Sequence, residues 1–291
     1  MKRVAILGLG LMGGSLGLAI KSRRLPWQVA GYTRTPERGR QAVRRGAVDV
    51  LLKHPSEAVA GADLVVVCAP ILVVPQLVRE CRGHLARGAV VTDVGSTKAF
   101  LEAEVPALLR ETGAAFVGSH PMAGSEKQGI EAARPDLYEG AVVLVSPPRA
   151  APARALQLVR GFWRRLGARP ETMDAREHDR VVARTSHLPH MVASLLVLTA
   201  ARAGRREQVG AFCGPGFADT TRVAEGSPDV WEDIVRTNRA NVAEELRSYR
   251  LQMDKLIELL DNGDFEGIRH MLENGQAARR TMLRIRRKGS E

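Results

Sequence analysis

An apolar run, Arg3-Val4-Ala5-Ile6-Leu7, passes straight into Gly8-Leu9-Gly10-Leu11-Met12-Gly13-Gly14-Ser15. No other feature constrains the chain as much. A strand that ends in Gly-x-Gly-x-x-Gly turns sharply, bares its backbone amides and enters a helix packed close to the sheet. Gly8 permits the tight turn, Gly10 lets the backbone approach a pyrophosphate, and Gly13 admits the helix against the strand. The helix N-terminus then faces the phosphates with unpaired amides. Glycine-rich turns are common, so the pattern alone is weak. With a strand before it and a helix after it, it predicts a dinucleotide site.

The rest of the N-terminal half repeats this grammar. Apolar runs at 28–32, 64–68, 89–93, 115–118, 141–145 and 168–173 alternate with helical stretches at 36–45, 73–81 and 152–166. Unbroken runs such as Leu64-Val65-Val66-Val67-Cys68 suit strands buried on both faces of a parallel sheet. Beyond Asp174 the strand pattern stops. Residues 175–203 read as a helix interrupted by Pro189, and Gly214-Pro215-Gly216 reads as a loop. A very long helix follows from Pro228 to about 261, striped by Trp231, Val235, Val242, Leu246, Tyr249, Met253, Leu256 and Leu260. At 1.5 Å per residue it spans roughly 50 Å, which predicts that part of its stripe meets a second subunit. A last helix covers 265–287. The expected architecture is an α/β Rossmann-type domain over 1–172 and an all-α domain over 173–291, the latter serving substrate binding and homodimerisation.

Composition narrows the class. With 291 residues, 45% hydrophobic and 26% charged, the chain has a large core to bury and is neither disordered nor fibrous. Its uninterrupted apolar runs fall far short of the roughly 20 residues a bilayer span needs. No signal-peptide pattern precedes the first strand. Cys68, Cys81 and Cys213 form no paired framework, as in a reducing compartment. These features predict a soluble cytoplasmic protein without a membrane partner. The net charge of +11 is spread along the chain, apart from the run at Arg284-Ile285-Arg286-Arg287-Lys288. Without an aromatic-basic platform it predicts an arginine-rich solvated surface, and a field that attracts a small anionic substrate, in preference to a nucleic-acid site.

Four strand ends carry further candidates. Leu11 and Met12 within the glycine turn, and Cys68-Ala69-Pro70 at the end of the 64–68 run, are expected to touch the cofactor. The second strand ends in Thr33-Arg34-Thr35-Pro36-Glu37-Arg38. A small residue with arginines, where an NAD site places an acid, favours NADP through Thr33, Arg34 and Arg38, with NAD the alternative. Asp93-Val94-Gly95-Ser96-Thr97-Lys98 and Gly118-Ser119-His120-Pro121-Met122-Ala123-Gly124-Ser125-Glu126-Lys127 follow two later strands. Both belong at the carboxyl edge of the sheet, where His120 is a candidate acid–base group. The helical half adds Ser186-His187-Leu188-Pro189-His190 and Gly214-Pro215-Gly216-Phe217-Ala218-Asp219-Thr220-Thr221-Arg222. His187 and His190 share a helix face, and Pro189 between them is expected to bend it. No H-E-x-x-H pattern or third ligand accompanies them, so no metal is expected.

Taken in order and with Trp231 downstream, these motifs resemble the prephenate/arogenate dehydrogenase family of tyrosine biosynthesis, almost from end to end. The resemblance implies oxidative decarboxylation of prephenate to 4-hydroxyphenylpyruvate, or of arogenate to tyrosine, with hydride passing from ring C4 to NAD(P)+. It implies that His120 takes the 4-hydroxyl proton, that Ser96 orients His120 or the hydroxyl, and that Arg222 holds a substrate carboxylate. His187 and His190 would line the pocket from the helical side, with Ser125 and Glu126 at its rim. No fused mutase or regulatory domain is expected. The competing reading is another β-hydroxyacid dehydrogenase or imine reductase of Rossmann-plus-helical build. Those with a catalytic lysine carry it on a glycine-rich helix, whereas Lys255 here lacks that setting.

Overall fold

The apolar runs assemble into strands whose alternate residues face two separate cores. In the computed structural model, which describes residues 1–124, 127–202 and 206–288, six parallel strands form the main sheet. They are β1 (Arg3–Leu7), β2 (Gln28–Tyr32), β3 (Val50–Leu51), β4 (Leu64–Val67), β5 (Val90–Asp93) and β6 (Ala115–Phe116), in the order β3-β2-β1-β4-β5-β6. The intervening helices are α1 (Leu11–Ser22), α2 (Pro36–Arg44), α3 (Pro55–Val59), α4 (Val74–Cys81) and α5 (Ala99–Leu109). Val4, Ile6, Leu64 and Val66 pack on one face with Leu16 and Ile20 of α1. Ala5, Leu7, Val65 and Val67 pack on the other with Leu101 and Val105 of α5. Each such buried aliphatic side chain contributes about 1.5–3 kcal/mol. The strand order reverses at β1, between β2 and β4, and the crevice at their carboxyl ends is where an open α/β sheet binds its ligand.

The sequence predicts one strand over 115–118, but the chain there divides. β6 ends at Phe116, and β7 (Gly118–Pro121) starts a second sheet with β8 (Val142–Ser146), antiparallel, and β9 (Arg169–Thr172), which pairs parallel to β8. Buried polar groups explain the departure. The Ser119 hydroxyl donates to the Asp93 carbonyl at 2.6 Å and lies 3.0 Å from Thr92 Oγ1. Side chains from β5 thus tie down the start of β7. Helix α6 (Ala153–Arg165) connects β8 to β9 and brings Phe162 and Trp163 into the first core.

The helical segment starts with α7 (Ala175–Val182), capped by the Asp174 carboxylate, which accepts from the amides of Arg176 and Glu177. A π turn (Ala183–His187) leads into α8 (Leu188–Ala201), with Pro189 in the first turn of α8. Proline cannot donate to residue 185 and its ring crowds that carbonyl, so the preceding turn widens. The stretch Ala175–Ala201 contains an 18-residue window of mean hydropathy 1.3, long and apolar enough by length and composition alone to cross a membrane. Its first turns nevertheless bury His178 and Asp179, while Leu195 and Leu198 farther along are exposed. Helices α9 (Arg206–Ala211), α10 (Pro215–Thr221) and α11 (Pro228–Thr237) follow. The expected loop at 214–216 is thus the start of a helix, with Gly214 as N-cap and Pro215 at the position where a missing N–H costs nothing.

The single helix expected over 228–261 is two helices. Asn238, with φ −125° and ψ 27°, separates α11 from α12 (Arg239–Asp261). Its side-chain amide donates to the Asp179 carbonyl at 2.7 Å and sits 3.2 Å from His187 Nδ1. The chain divides into two compact units, Met1–Arg239 and Ala240–Glu291. The second unit is the rest of α12 and α13 (Phe265–Lys288), joined by a turn in which Gly263 adopts φ 65°. Leu251, Ile257, Leu260, Phe265 and Leu272 are exposed on it.

Candidate active site

A cleft of about 380 Å3 opens at the carboxyl edge of the main sheet, wholly within the first unit. Its floor is the glycine turn. Gly8 holds φ 110°, and a Cβ there would strike the Cys68 carbonyl, while a Cβ on Gly13 would strike the Gly8 carbonyl. Both positions serve close packing beneath the cleft. Gly10 differs, since it lines the cleft and a Cβ there would meet no protein atom within 4 Å. The first turn of α1 has neither a side-chain cap nor an acidic residue, so its amides face an anion without competition. This cradle fits a dinucleotide pyrophosphate.

Leu11, Met12, Cys68, Ala69 and Pro70 line the same cleft, together with Arg38. Arg34 is exposed beside half-buried Thr33, and neither lines the cleft. The acid nearest this strand end, Glu37, is bound by Arg40 at 2.5 Å and Arg44 at 3.2 Å. Those arginines hold its carboxyl below the usual range. Residues 130–138 are strapped against the glycine turn and the start of α1. The Tyr138 hydroxyl donates to the Met12 carbonyl at 2.7 Å, and the amide of Arg134 donates to Ser15 Oγ at 3.0 Å. Arg45 donates to the carbonyls of Ile130 and Ala133.

Ser96 and His120 line the same cleft, with Lys127 and, from α11, Val230 and Asp233. Behind His120 runs a chain of hydrogen bonds. His120 Nδ1 lies 2.9 Å from His178 Nε2, and His178 Nδ1 lies 2.8 Å from Asp179 Oδ1. The same carboxylate accepts from the backbone amides of Lys98 at 2.8 Å and Ala99 at 2.9 Å. Ring tautomers follow from this order. Asp179 only accepts, so His178 carries its proton on Nδ1 and offers a lone pair at Nε2. His120 must then donate from Nδ1, which leaves Nε2 as a proton acceptor for the cleft. Burial holds the His120 imidazole well below its usual pKa, aided by the charges of His178, Lys98 and His187, so the ring is neutral at physiological pH.

A buried ion pair sits under this chain. Lys98 and Asp93 are 1% and 0% exposed and directly paired. Lys98 Nζ also donates to the Ser119 carbonyl at 3.0 Å, while Asp93 accepts from the amides of Gly95 at 2.7 Å and Ser119 at 3.1 Å. Burial lowers the Lys98 pKa, and the neighbouring Asp93 carboxylate opposes that shift. The pair therefore fixes the backbone on both sides of Ser96 and immediately before His120.

His187, His190 and Arg222 do not line this cleft. His187 and His190 are buried against Trp231, with His190 stacked on the indole at a centroid distance of 3.5 Å. His187 Nε2 and His190 Nδ1 find no hydrogen-bond partner among the described residues. Arg222 is exposed where α10 ends. Ser125 and Glu126 lie outside the described residues. His178, Asp179, Asn238 and the α11 residues escape a reading by motif. Ala175, His178, Asp179 and Val182 share one helical face and are all buried, so the apolar stripe of α7 carries a histidine and an aspartate. That combination was the legible signal.

Burial pushes the His187 pKa down to about 4. Its folded value lies below the unfolded one near 6.5, so the unfolded chain binds the proton first. Stability is complete above pH 6.5 and is lost as pH falls toward 4, with His187 contributing about 3 kcal/mol of that loss. His120 acts in the same direction. Urea midpoints at pH 7.5 and 4.5 should show the decline, and His187→Gln should flatten it. An unchanged slope in that variant would assign the loss elsewhere.

A family description given as prephenate dehydrogenase, nucleotide-binding domain, matches residues 16–172, and one given as prephenate dehydrogenase, dimerization domain, matches 174–274. The chain belongs to the prephenate dehydrogenase family. A prephenate dehydrogenase of Lactococcus lactis is 31% identical over 97% of this chain and 78% of its own length. The Aquifex aeolicus prephenate dehydrogenase, solved with hydroxyphenyl propionate and NAD+, superposes with a TM-score of 0.90 at 31% identity, covering 97% of this chain and 98% of that one. A Synechocystis arogenate dehydrogenase gives 0.82 at 28% identity over 96% and 99%. The glycine turn at 8–15 precedes the residues matched to the family's nucleotide-binding domain, so its place in that domain rests on the geometry described above. The His178–Asp179 pair lies in the stretch matched to the dimerization domain, and its partner His120 in the nucleotide-binding stretch.

Proposed function

We propose that the chain oxidatively decarboxylates prephenate, with arogenate the alternative substrate. The observation that carries this reading is His120, whose Nδ1 is engaged by His178 and whose Nε2 is left as a base in the cleft floored by the glycine turn. A nicotinamide dinucleotide held in that cleft supplies the hydride acceptor for ring C4. The chain's own task is to orient the ring and remove one proton, because aromatisation on loss of CO2 from C1 provides the driving force. His120 Nε2 takes the 4-hydroxyl proton as the carbonyl forms, and Ser96 in the same wall holds that oxygen. Lys127 in the cleft wall suits the pyruvyl carboxylate and favours prephenate. Arg38 in the cleft, with Thr33 and Arg34 following β2 and Glu37 already paired, favours NADP over NAD.

Arg222 is assigned to a substrate carboxylate, a task suited to its fork of donors. Arg222→Gln should raise the substrate KM about tenfold with kcat within about threefold. An unmoved KM would remove Arg222 from the site. Residues 1–172 hold the cofactor, and 173–291 complete the substrate site and form a homodimer. The exposed apolar residues of the second unit and the family's dimerization domain support that division. The three free cysteines suit a cytoplasmic setting.

Absorbance at 340 nm tests the reading, with prephenate and arogenate each offered NAD+ and NADP+. Reduction fastest with prephenate and NADP+ is expected. No reduction in any of the four, with dinucleotide binding demonstrated, would overturn it.

A further inference from the structure

The deepest feature of the site is one that proton removal by His120 alone does not use. His178 and Asp179 are wholly buried, so neither can touch a substrate in the cleft, yet they continue the hydrogen-bond line from His120. We propose that His120, His178 and Asp179 form a two-imidazole proton relay, in which the substrate's hydroxyl proton displaces a second proton that comes to rest on His178 against the Asp179 carboxylate. The proposal rests on the reading of the reaction given above and extends it to the proton's destination.

The bonds balance as follows. The hydroxyl O–H breaks and a bond forms from that proton to His120 Nε2. The His120 Nδ1–H bond breaks and its proton joins His178 Nε2. His120 stays neutral in its other tautomer, and His178 becomes an imidazolium held by Asp179. The C4–H electron pair would leave as hydride to a nicotinamide dinucleotide held in the cleft; the C1–CO2 bond then breaks, its pair aromatises the ring, and the carbonyl pair returns to the oxygen as a phenolate. Resetting runs in reverse: the phenolate oxygen left by decarboxylation takes back the Nε2 proton of His120 as the product's hydroxyl, and the extra proton of His178 returns to His120 Nδ1.

The surrounding charges decide where the positive charge settles. His120 on β7 is buried and feels the Lys98 ammonium, whose pairing carboxylate, Asp93, sits on β5. His178 on α7 has Asp179 in direct contact at 2.8 Å, and His187 of the π turn is the other titratable ring that acts on it. Among the described residues, an imidazolium on His120 would have no carboxylate in hydrogen-bond contact, whereas one on His178 has Asp179. Asp179 is itself immobilised by three N–H groups and by Asn238 on its carbonyl, so the acceptor end of the line is rigid.

Two measurements decide the proposal. The first needs no turnover. In the full chain labelled with 15N-histidine, with seven histidines to assign, the side-chain resonances should show coupling across His120 Nδ1–H and His178 Nε2. On acidification the first proton taken up by the pair should appear on His178. Its appearance on His120, or the absence of the coupling, would overturn the relay. The second uses His178→Gln, which can still accept from His120 Nδ1 but cannot bind the proton. We expect kcat to fall on the order of 10- to 100-fold with KM within about twofold. The acid limb of kcat/KM should move to lower pH, because His120 must then carry the charge beside Lys98. A kcat within about threefold and an unmoved limb would overturn the relay. The wild-type spectra stand even if the variant fails to fold. Wild-type inactivity on both substrates, with the expected spectra, would refute the proposed reaction and leave the relay intact.

Discussion

His120→Asn is expected to lower kcat by about two to four orders of magnitude, the contribution of a positioned general base. The choice of asparagine isolates the chemistry. Its amide nitrogen can take over the donation that His120 Nδ1 makes to His178 Nε2 at 2.9 Å. It has no lone pair where Nε2 stands, so the hydroxyl proton has no acceptor. The glycine turn, the 68–70 wall and Arg38 are untouched, and dinucleotide affinity should stay within about twofold. Rates at 340 nm, paired with a titration of the reduced dinucleotide by fluorescence, measure both quantities. A kcat within tenfold of wild type would mean that His120 does not remove the proton.

Lys98→Met should destabilise the fold by about 3–5 kcal/mol, the cost of leaving one member of a buried pair alone. Methionine conserves much of the volume, so the loss reports charge and hydrogen bonding more than a cavity. Asp93 is 0% exposed and would face no counter-ion, and the Ser119 carbonyl would lose its donor. Urea midpoints converted to free energies give the loss directly. Asp93→Asn in the same chain should recover part of it, because the orphaned charge is then gone. A single-variant loss below about 1 kcal/mol would show that water or a neighbouring group compensates Asp93. Since the pair pins the backbone before His120, kcat should fall as well.

Much of this site is written locally in the chain. The glycine turn, the apolar runs of β1 and β4 and the Ser96 and His120 clusters each announce themselves within a dozen residues, because the physics that places them acts over one turn or one strand. The division of 115–121 between two sheets does not, since it depends on Asp93 and Thr92 engaging Ser119 some 26 residues away. The break at Asn238 follows from a bond to the carbonyl of Asp179, 59 residues distant. Arg176-Glu177-His178-Asp179-Arg180 reads as a solvated helix start when its charges are counted. Only the face shared by positions 175, 178, 179 and 182 reveals that two of the charged or polar side chains turn inward.

Asp179 also closes a helix that is not its own. The first amides of α5, those of Lys98 and Ala99, have no side-chain cap from their own segment and are satisfied by this carboxylate, reached from α7. A fragment ending at residue 172 would keep every strand of both sheets yet leave α5 open at its N-terminus, at a cost of about 1–2 kcal/mol for the lost cap. Anyone grafting this nucleotide-binding half onto another partner must therefore carry α7 along with it. The place where the two family descriptions meet is a boundary in sequence, and for protein engineering it is not a seam.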